Sequence, residues 1–193
     1  MNLFTNIYCT IKGYKLVPKA HLFAAKLHGA DLSGIDLNNA ELNWADLGGT
    51  TLINANLSGA YLNEANLSNA IMNGANLKNA KLKDAKLFGT FLNDANLFEA
   101  DLSRALLNHA SLKNANLSYA KLNNVDFGSI TVMNTFFSAA DLTSTSLVCA
   151  DLRGAKLNEV TLRFTSFLGA EYDIFTTWPE GFDPEAAGAI LKE

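Results

Sequence analysis

The chain has 193 residues, 49% of them hydrophobic, with a formal net charge of −4 and a pI near 5.4, enough for one domain with a substantial core. Against 19 Asp and Glu there are 15 Lys and Arg, so no basic surplus is available to grip phosphate, and nucleic acid is not an expected partner. No apolar run approaches the ~18 residues that span a bilayer and the first residues carry no basic leader, so no membrane association and a cytoplasmic location are expected.

In chain order, residues 1–19 come first. Leu3, Phe4, Ile7 and Tyr8 recur at the spacing of one helix face, which predicts an N-terminal cap with a short helix. Cys9 and Cys149 are the two cysteines, far apart and without a partner motif, and are expected as free thiols.

From Ala20 to Gly169 the sequence runs in thirty uninterrupted frames of five. The third place of the frame is Leu in twenty-five of them and Met72, Phe127, Val132, Phe137 or Phe167 in the rest. The first place is Ala in twenty-one and otherwise Ile, Val or Thr. Neither place ever carries a charge, so both point inward, with Leu32, Leu52, Met72, Leu92, Leu112, Phe127 and Phe137 among the core residues.

A period of five suits neither regular element. On an α-helix five residues turn through about 500°, which sends successive leucines spiralling round the cylinder. On a straight strand an odd period alternates them between faces. The chain must instead bend at every frame, each pentamer forming one short side of a coil whose leucines share an axis: an all-β solenoid, a parallel β-helix.

Frames such as "ADLSG", "ANLSN" and "ADLRG" resemble the pentapeptide-repeat family, over about 150 of the 193 residues. The resemblance implies a right-handed quadrilateral β-helix with four frames to the coil. The sequence carries a matching period of twenty. Starting from residue 20 as side one, the fifth place of side two reads Gly29, Gly49, Asn69, Gly89, and that of side three Gly34, Asn54, Gly74, whereas side one has Ala24, Trp44, Glu64, Asp84. Gly and Asn therefore favour particular corners, those expected to need positive φ. Thirty frames make about 7.5 coils, a rod roughly 36 Å long at ~4.8 Å per coil.

Residues 170–193 are expected to cap the other end. Asp183, Pro184 and Glu185 read as a helix start, and Trp178 and Phe182 are expected to cover Phe164, Phe167 and Leu168. The "WPEGFDP" segment is similar to tails that follow many cyanobacterial and plastid pentapeptide repeats.

Chemistry is scarce. His21 falls on side one, while His28 and His109 fall on side two about 19 Å apart and Cys149 about 10 Å beyond His109, so no metal site is expected. No nucleophile and base constellation or phosphate loop appears, and neither enzyme activity nor a cofactor is expected. Lys81, Asp101, Lys121 and Asp141 alternate in sign along side one, the pattern of an exposed charge ladder. Asp36, Asn56, Asn76, Asn96 and Asn116 line side four, which suggests stacked amides. His21 and Trp44 are read as contacts of the N-terminal cap. Phe88, Phe91 and Phe98 point outward from one coil with Ile71 beside Phe91, a possible partner surface.

The expected function is that of a non-enzymatic rod, a scaffold or interaction module for an unknown protein partner, monomeric or weakly dimeric. The family resemblance supplies an alternative, a DNA mimic that protects DNA gyrase from quinolones. Duplex DNA carries one charge per ~1.7 Å, so a 36 Å mimic needs about 20 uncompensated negative charges. On side one Glu41, Glu64, Asp84, Asp101 and Asp141 face Lys81, Lys83, Arg104, Lys121 and Arg163, and no acidic stripe results.

Overall fold

The structure, a computed structural model, describes residues 9–193. The helix expected on Leu3, Phe4, Ile7 and Tyr8 lies outside the described residues. The described chain begins with an antiparallel hairpin. β1 (Cys9–Ile11) pairs with β2 (Tyr14–Leu16) across a turn at Lys12 and Gly13. The hairpin feeds straight into the coil, for Lys19 donates to the Asn38 carbonyl at 2.8 Å and Ala20 to Val17 at 3.1 Å, bonds of the same type as those in every later frame.

Parallel bridges join each second-place residue to the one twenty positions on, from His21↔Glu41 to Asp151↔Glu171. Four frames therefore complete one turn, and each side of the coil stacks directly on the same side of the next. Within a frame four backbone amides follow one pattern. In the first coil Leu22 donates to Glu41 of the coil above (2.8 Å) and Ala24 to Asn43 (2.9 Å), Glu41 donates back to Ala20 (2.9 Å), and Ala25 closes the corner on Leu22 (3.0 Å).

The remaining amide, at the fourth place, explains the polar residues of the repeat. Where the second place is Asp or Asn, its Oδ1 accepts that N–H two residues on, as in Asp31 with Ser33 (3.1 Å), Asn76 with Lys78 (3.2 Å) and Asp126 with Gly128 (2.9 Å). In several frames whose second place cannot accept, a fourth-place Asn of the preceding coil does so. Asn63 is served by Asn43 (3.0 Å), Lys83 by Asn63 (3.1 Å) and Asn93 by Asn73 (3.1 Å). A buried or half-buried amide left without an acceptor costs ~1–3 kcal/mol, so these side chains complete the coil rather than decorate it. The side-four column works mainly in this way. Amide stacking between coils joins Asn56 to Asp36 (2.9 Å) and Asn76 to Asn56 (3.3 Å) only at its lower end.

First and third places fill the axis. Leu32, Leu52, Met72, Leu92, Leu112, Phe127 and Phe137 are all buried, as the sequence predicts. Threonine enters the first place without an unpaired hydroxyl: Thr90 donates to Leu67 O (3.0 Å), Thr135 to Leu112 O (2.7 Å) and Thr145 to Leu122 O (2.7 Å). Every fifth-place residue from Ala24 to Gly169 has positive φ. The demand is thus the same at all four corners, and side one, with Trp44, Glu64 and Asp84 at φ of 63°, 58° and 59°, meets it without glycine. The expectation that only some corners are left-handed is corrected: Gly and Asn mark where the requirement is met cheaply, not where it exists.

The coil does not stop at residue 169. Glu171 bridges Asp151, placing Tyr172 at a third place, and after one inserted residue, Phe175, Thr177 bridges Lys156 and Trp178 fills the next third place. The Asp173 carboxylate organises the insertion, accepting from Gly154 N (2.8 Å), Phe175 N (3.0 Å) and Thr176 N (3.0 Å). β3 (Glu171–Tyr172) then pairs in parallel with β4 (Ile190–Leu191). Between them Phe182 stacks on Trp178 (5.1 Å) and both close over Phe167 (5.3 Å each). Phe164 and Leu168 are not covered and stand 87% and 66% exposed: the cap leaves the last frame of side one bare, and Leu168, at a fourth place of side two, points outward. Asp183 caps as expected, accepting Ala186 N–H at 3.0 Å, but the segment makes a single turn instead of a helix, since Ile190 must already be in register with Glu171.

Candidate interaction faces

With the axis filled, any function has to reside on the faces and ends. Phe88 is at the fourth place of side two, Phe91 at the second place of side three and Phe98 at the fourth place of side four. Phe98 follows Phe88 by ten residues, which on a twenty-residue coil is half a turn, so the two lie on opposite corners. Phe91 is half-exposed and bridges Ile71 below and Ser111 above. Phe88 is also half-exposed and packs edge-on against His109 (centroids 5.2 Å). Phe98 is more covered, with Tyr119 at 5.3 Å and the Lys78 ammonium 5.1 Å from its ring centre. The structure thus brings Ile71 and Phe91 together, with Phe88 one corner away, and separates Phe98 into a cluster of its own.

The cap contacts expected of His21 and Trp44 involve residues 1–19, of which 1–8 lie outside the described residues. The His21 ring meets Glu41 of the next coil at 2.6 Å, and Trp44 is 56% exposed. Trp44 shares side one with exposed Phe23 and Tyr61, an aromatic group that the outward places of the sequence contain but that a search for aromatics within one coil passes over.

The alternating column Lys81, Asp101, Lys121, Asp141 is stacked as expected but forms no ion pair among the described residues. Asp101 accepts instead from Ser103 (2.6 Å) and Asp141 from Thr143 N (3.0 Å), because the coil needs those acceptors. The paired charges lie elsewhere. Arg104 grips Asp84 with two donors, Nε at 2.7 Å, and that hydrogen bond together with the guanidinium charge holds the Asp84 carboxyl below its usual range. Arg153 binds Asp151 in the same frame (2.9 and 2.7 Å) and likewise depresses its pKa. At Asp173 burial opposes ionisation, but the hydrogen bonds from Gly154, Thr176 and Phe175 outweigh it and the pKa is lowered.

A shallow groove of about 420 Å³ runs beside the C-terminal cap, lined by Met133, Arg153, Ile174, Phe175 and Lys192 among others. Its two cations are already engaged, Arg153 by Asp151 and Lys192 by Glu171 (3.1 Å). Among the described residues no three His, Cys, Asp or Glu side chains cluster to hold a metal ion, and no helix is long and apolar enough to cross a membrane.

The filled twenty-residue coil matches what a family-level comparison finds. The model for pentapeptide repeats matches in eight copies over residues 19–54, 52–89, 91–128 and 135–170. The chain belongs to the pentapeptide-repeat family. Among solved pentapeptide-repeat structures it is similar to Rfr23 from the cyanobacterium Cyanothece 51142, at 34% identity over 53% of this chain and 66% of that one, with a TM-score of 0.44. It is also similar to HetL, involved in heterocyst differentiation regulation in the cyanobacterium Nostoc sp. PCC 7120, at 28% identity over 86% and 90% of the two chains with a TM-score of 0.33. QnrB1, a plasmid-mediated fluoroquinolone resistance protein, aligns at 19% identity over 86% and 91%, with a TM-score of 0.49. Among curated proteins the chain has no match.

Proposed function

We propose that this pentapeptide-repeat protein is a non-enzymatic scaffold, a stiff right-handed four-sided rod that presents side chains at fixed intervals to a protein partner. One observation carries the reading. First- and third-place side chains occupy the axis from Ala20 to Ala170 and are buried almost throughout, while the outward side chains are stacked at the coil repeat. Such an interior has no room for a substrate, and the stacked second places give each face the regularity of a ruled surface.

The face best suited to a partner is the corner of sides two and three, where Phe88, Phe91 and Ile71 lie close together. Affinity capture from cells of the source organism tests this by comparing wild type with Phe88→Ser/Phe91→Ser and, separately, with Phe98→Ser. A protein retained by wild type and by Phe98→Ser but lost from the double variant supports the assignment. Equal capture by all three sinks it.

A further inference from the structure

Formal charge is divided along the axis of the rod. Residues 9–30 carry Lys12, Lys15, Lys19 and Lys26, all exposed, and no carboxylate. Lys12 lies across the first coil, its Nζ 2.7 Å from the His28 carbonyl. Residues 170–193 reverse the balance, with Glu171, Asp173, Glu180, Asp183, Glu185 and Glu193 against Lys192 alone. The modest net charge of −4 thus hides a basic end and an acidic end.

The acidic end is also unfinished. In the coil below, Leu142 and Ser144 donate their amides upward to Thr161 and Arg163 at 2.9 and 2.7 Å. The corresponding amides of Leu162 and Phe164 have no backbone acceptor among the described residues. Beside this open edge Phe164 and, on the adjoining side two, Leu168 are 87% and 66% exposed. Phe164 holds this exposed position at φ 58°, an unfavourable backbone region for a bulky residue. Unpaired strand edges beside apolar side chains are a template for another chain.

We propose that the acidic C-terminal end of one rod receives the basic N-terminal end of a second copy, so that rods associate head to tail. Charge selects this pairing. Two C-terminal ends would bring together six carboxylates from each copy against only Lys192 and Arg163, and two N-terminal ends four lysines from each against only Asp31 and Asp36, whereas unlike ends attract. Such a contact is heterologous and does not close on itself, so assembly continues beyond two copies. The inference extends the scaffold reading from one rod to a longer one, and it is tested on purified protein, so its failure leaves the capture result untouched.

Sedimentation velocity on the full chain at several concentrations, in ~20 mM and in ~500 mM salt, reads the proposal directly, since screening shortens from roughly 20 Å to about 4 Å between them. At low salt the mean mass is expected to rise with concentration past twice the monomer mass of 20.8 kDa, and at high salt to fall toward that value. Lys12→Glu/Lys19→Glu/Lys26→Glu and Glu180→Lys/Glu185→Lys/Glu193→Lys should each stay monomeric alone and associate when mixed, with circular dichroism confirming that each folds. Should a triple variant fail to fold, the wild-type salt series and Phe164→Ser, expected to lower the mean mass at low salt, still decide. A monomer under every condition overturns the proposal, as does a dimer that neither grows with concentration nor weakens with salt.

Discussion

Side two offers a controlled test of what the corners cost. Gly49 and Gly89 occupy the same fifth place two coils apart, at φ +60° and +63°. A Cβ at Gly49 would meet nothing within 4 Å, whereas one at Gly89 would lie 2.6 Å from Oδ1 of Asn69, the residue stacked directly beneath it. Placing alanine in the left-handed region costs ~1–2 kcal/mol. Restricting the unfolded chain offsets ~0.4–1 of that. Gly49→Ala should therefore destabilise by about 0.5–1 kcal/mol. Gly89→Ala carries the same backbone cost plus displacement of the Asn69 amide from its rotamer, about 0.5–1.5 kcal/mol more. Urea unfolding of the two variants should resolve the difference, and Asn69→Gly should remove it, leaving a coupling of about 1 kcal/mol in the double-mutant cycle. Equal destabilisation of Gly49→Ala and Gly89→Ala would refute the claim that glycine at this corner answers the asparagine below as well as the backbone.

Three further outcomes are expected from the same geometry. Leu92→Arg places a cation with no partner on an axis position of zero exposure, so it should abolish cooperative unfolding or lower the melting temperature by more than ten degrees, read by circular dichroism; melting close to wild type would overturn the register. Asp173→Ala removes the acceptor for Gly154, Phe175 and Thr176 and should cost about 2–3 kcal/mol, with hydrogen exchange accelerated first at residues 171–178; uniform acceleration along the rod would refute a local role. Acid should weaken the fold through Asp84, Asp151 and Asp173, whose folded pKa values are lowered below the ordinary 3.8. Their contribution is complete above the unfolded pKa and is lost as pH falls through the folded values, so the melting temperature should be flat from pH 7 to about pH 5 and drop below about pH 4. A decline beginning near pH 6 would refute the assignment to these carboxylates.

The inward places were legible because burial leaves no freedom. A charge at Leu92 or Ala95 has nowhere to go, so the frame reveals itself in residue type alone. The outward places obey a different logic, in which many fourth-place amides are given a side-chain acceptor. Asp or Asn at the second place and Asn at the fourth place of the coil before are alternative solutions to that single demand. Taken one column at a time, they look like an amide ladder on side four and a charge ladder on side one. Taken by hydrogen bond, Asn76 and Asp141 do the same thing for Lys78 and Thr143.

The ends escaped the sequence for the opposite reason. Phe175 shifts the register by one residue, and a strict count of five stops at Gly169 although Tyr172 and Trp178 continue to fill third places. Nothing in the composition of "EYDIFTTW" marks the insertion except Asp173, whose carboxylate replaces the backbone acceptor that Gly154 would otherwise find. If the rod is a display scaffold, this is also where variation is least constrained. The middle coils must satisfy neighbours above and below, whereas the last frame of side one answers only to the coil beneath it. Leu162 and Phe164 are therefore constrained from one side only, and the half-turn that divides Phe88 from Phe98 sets these two on separate side faces.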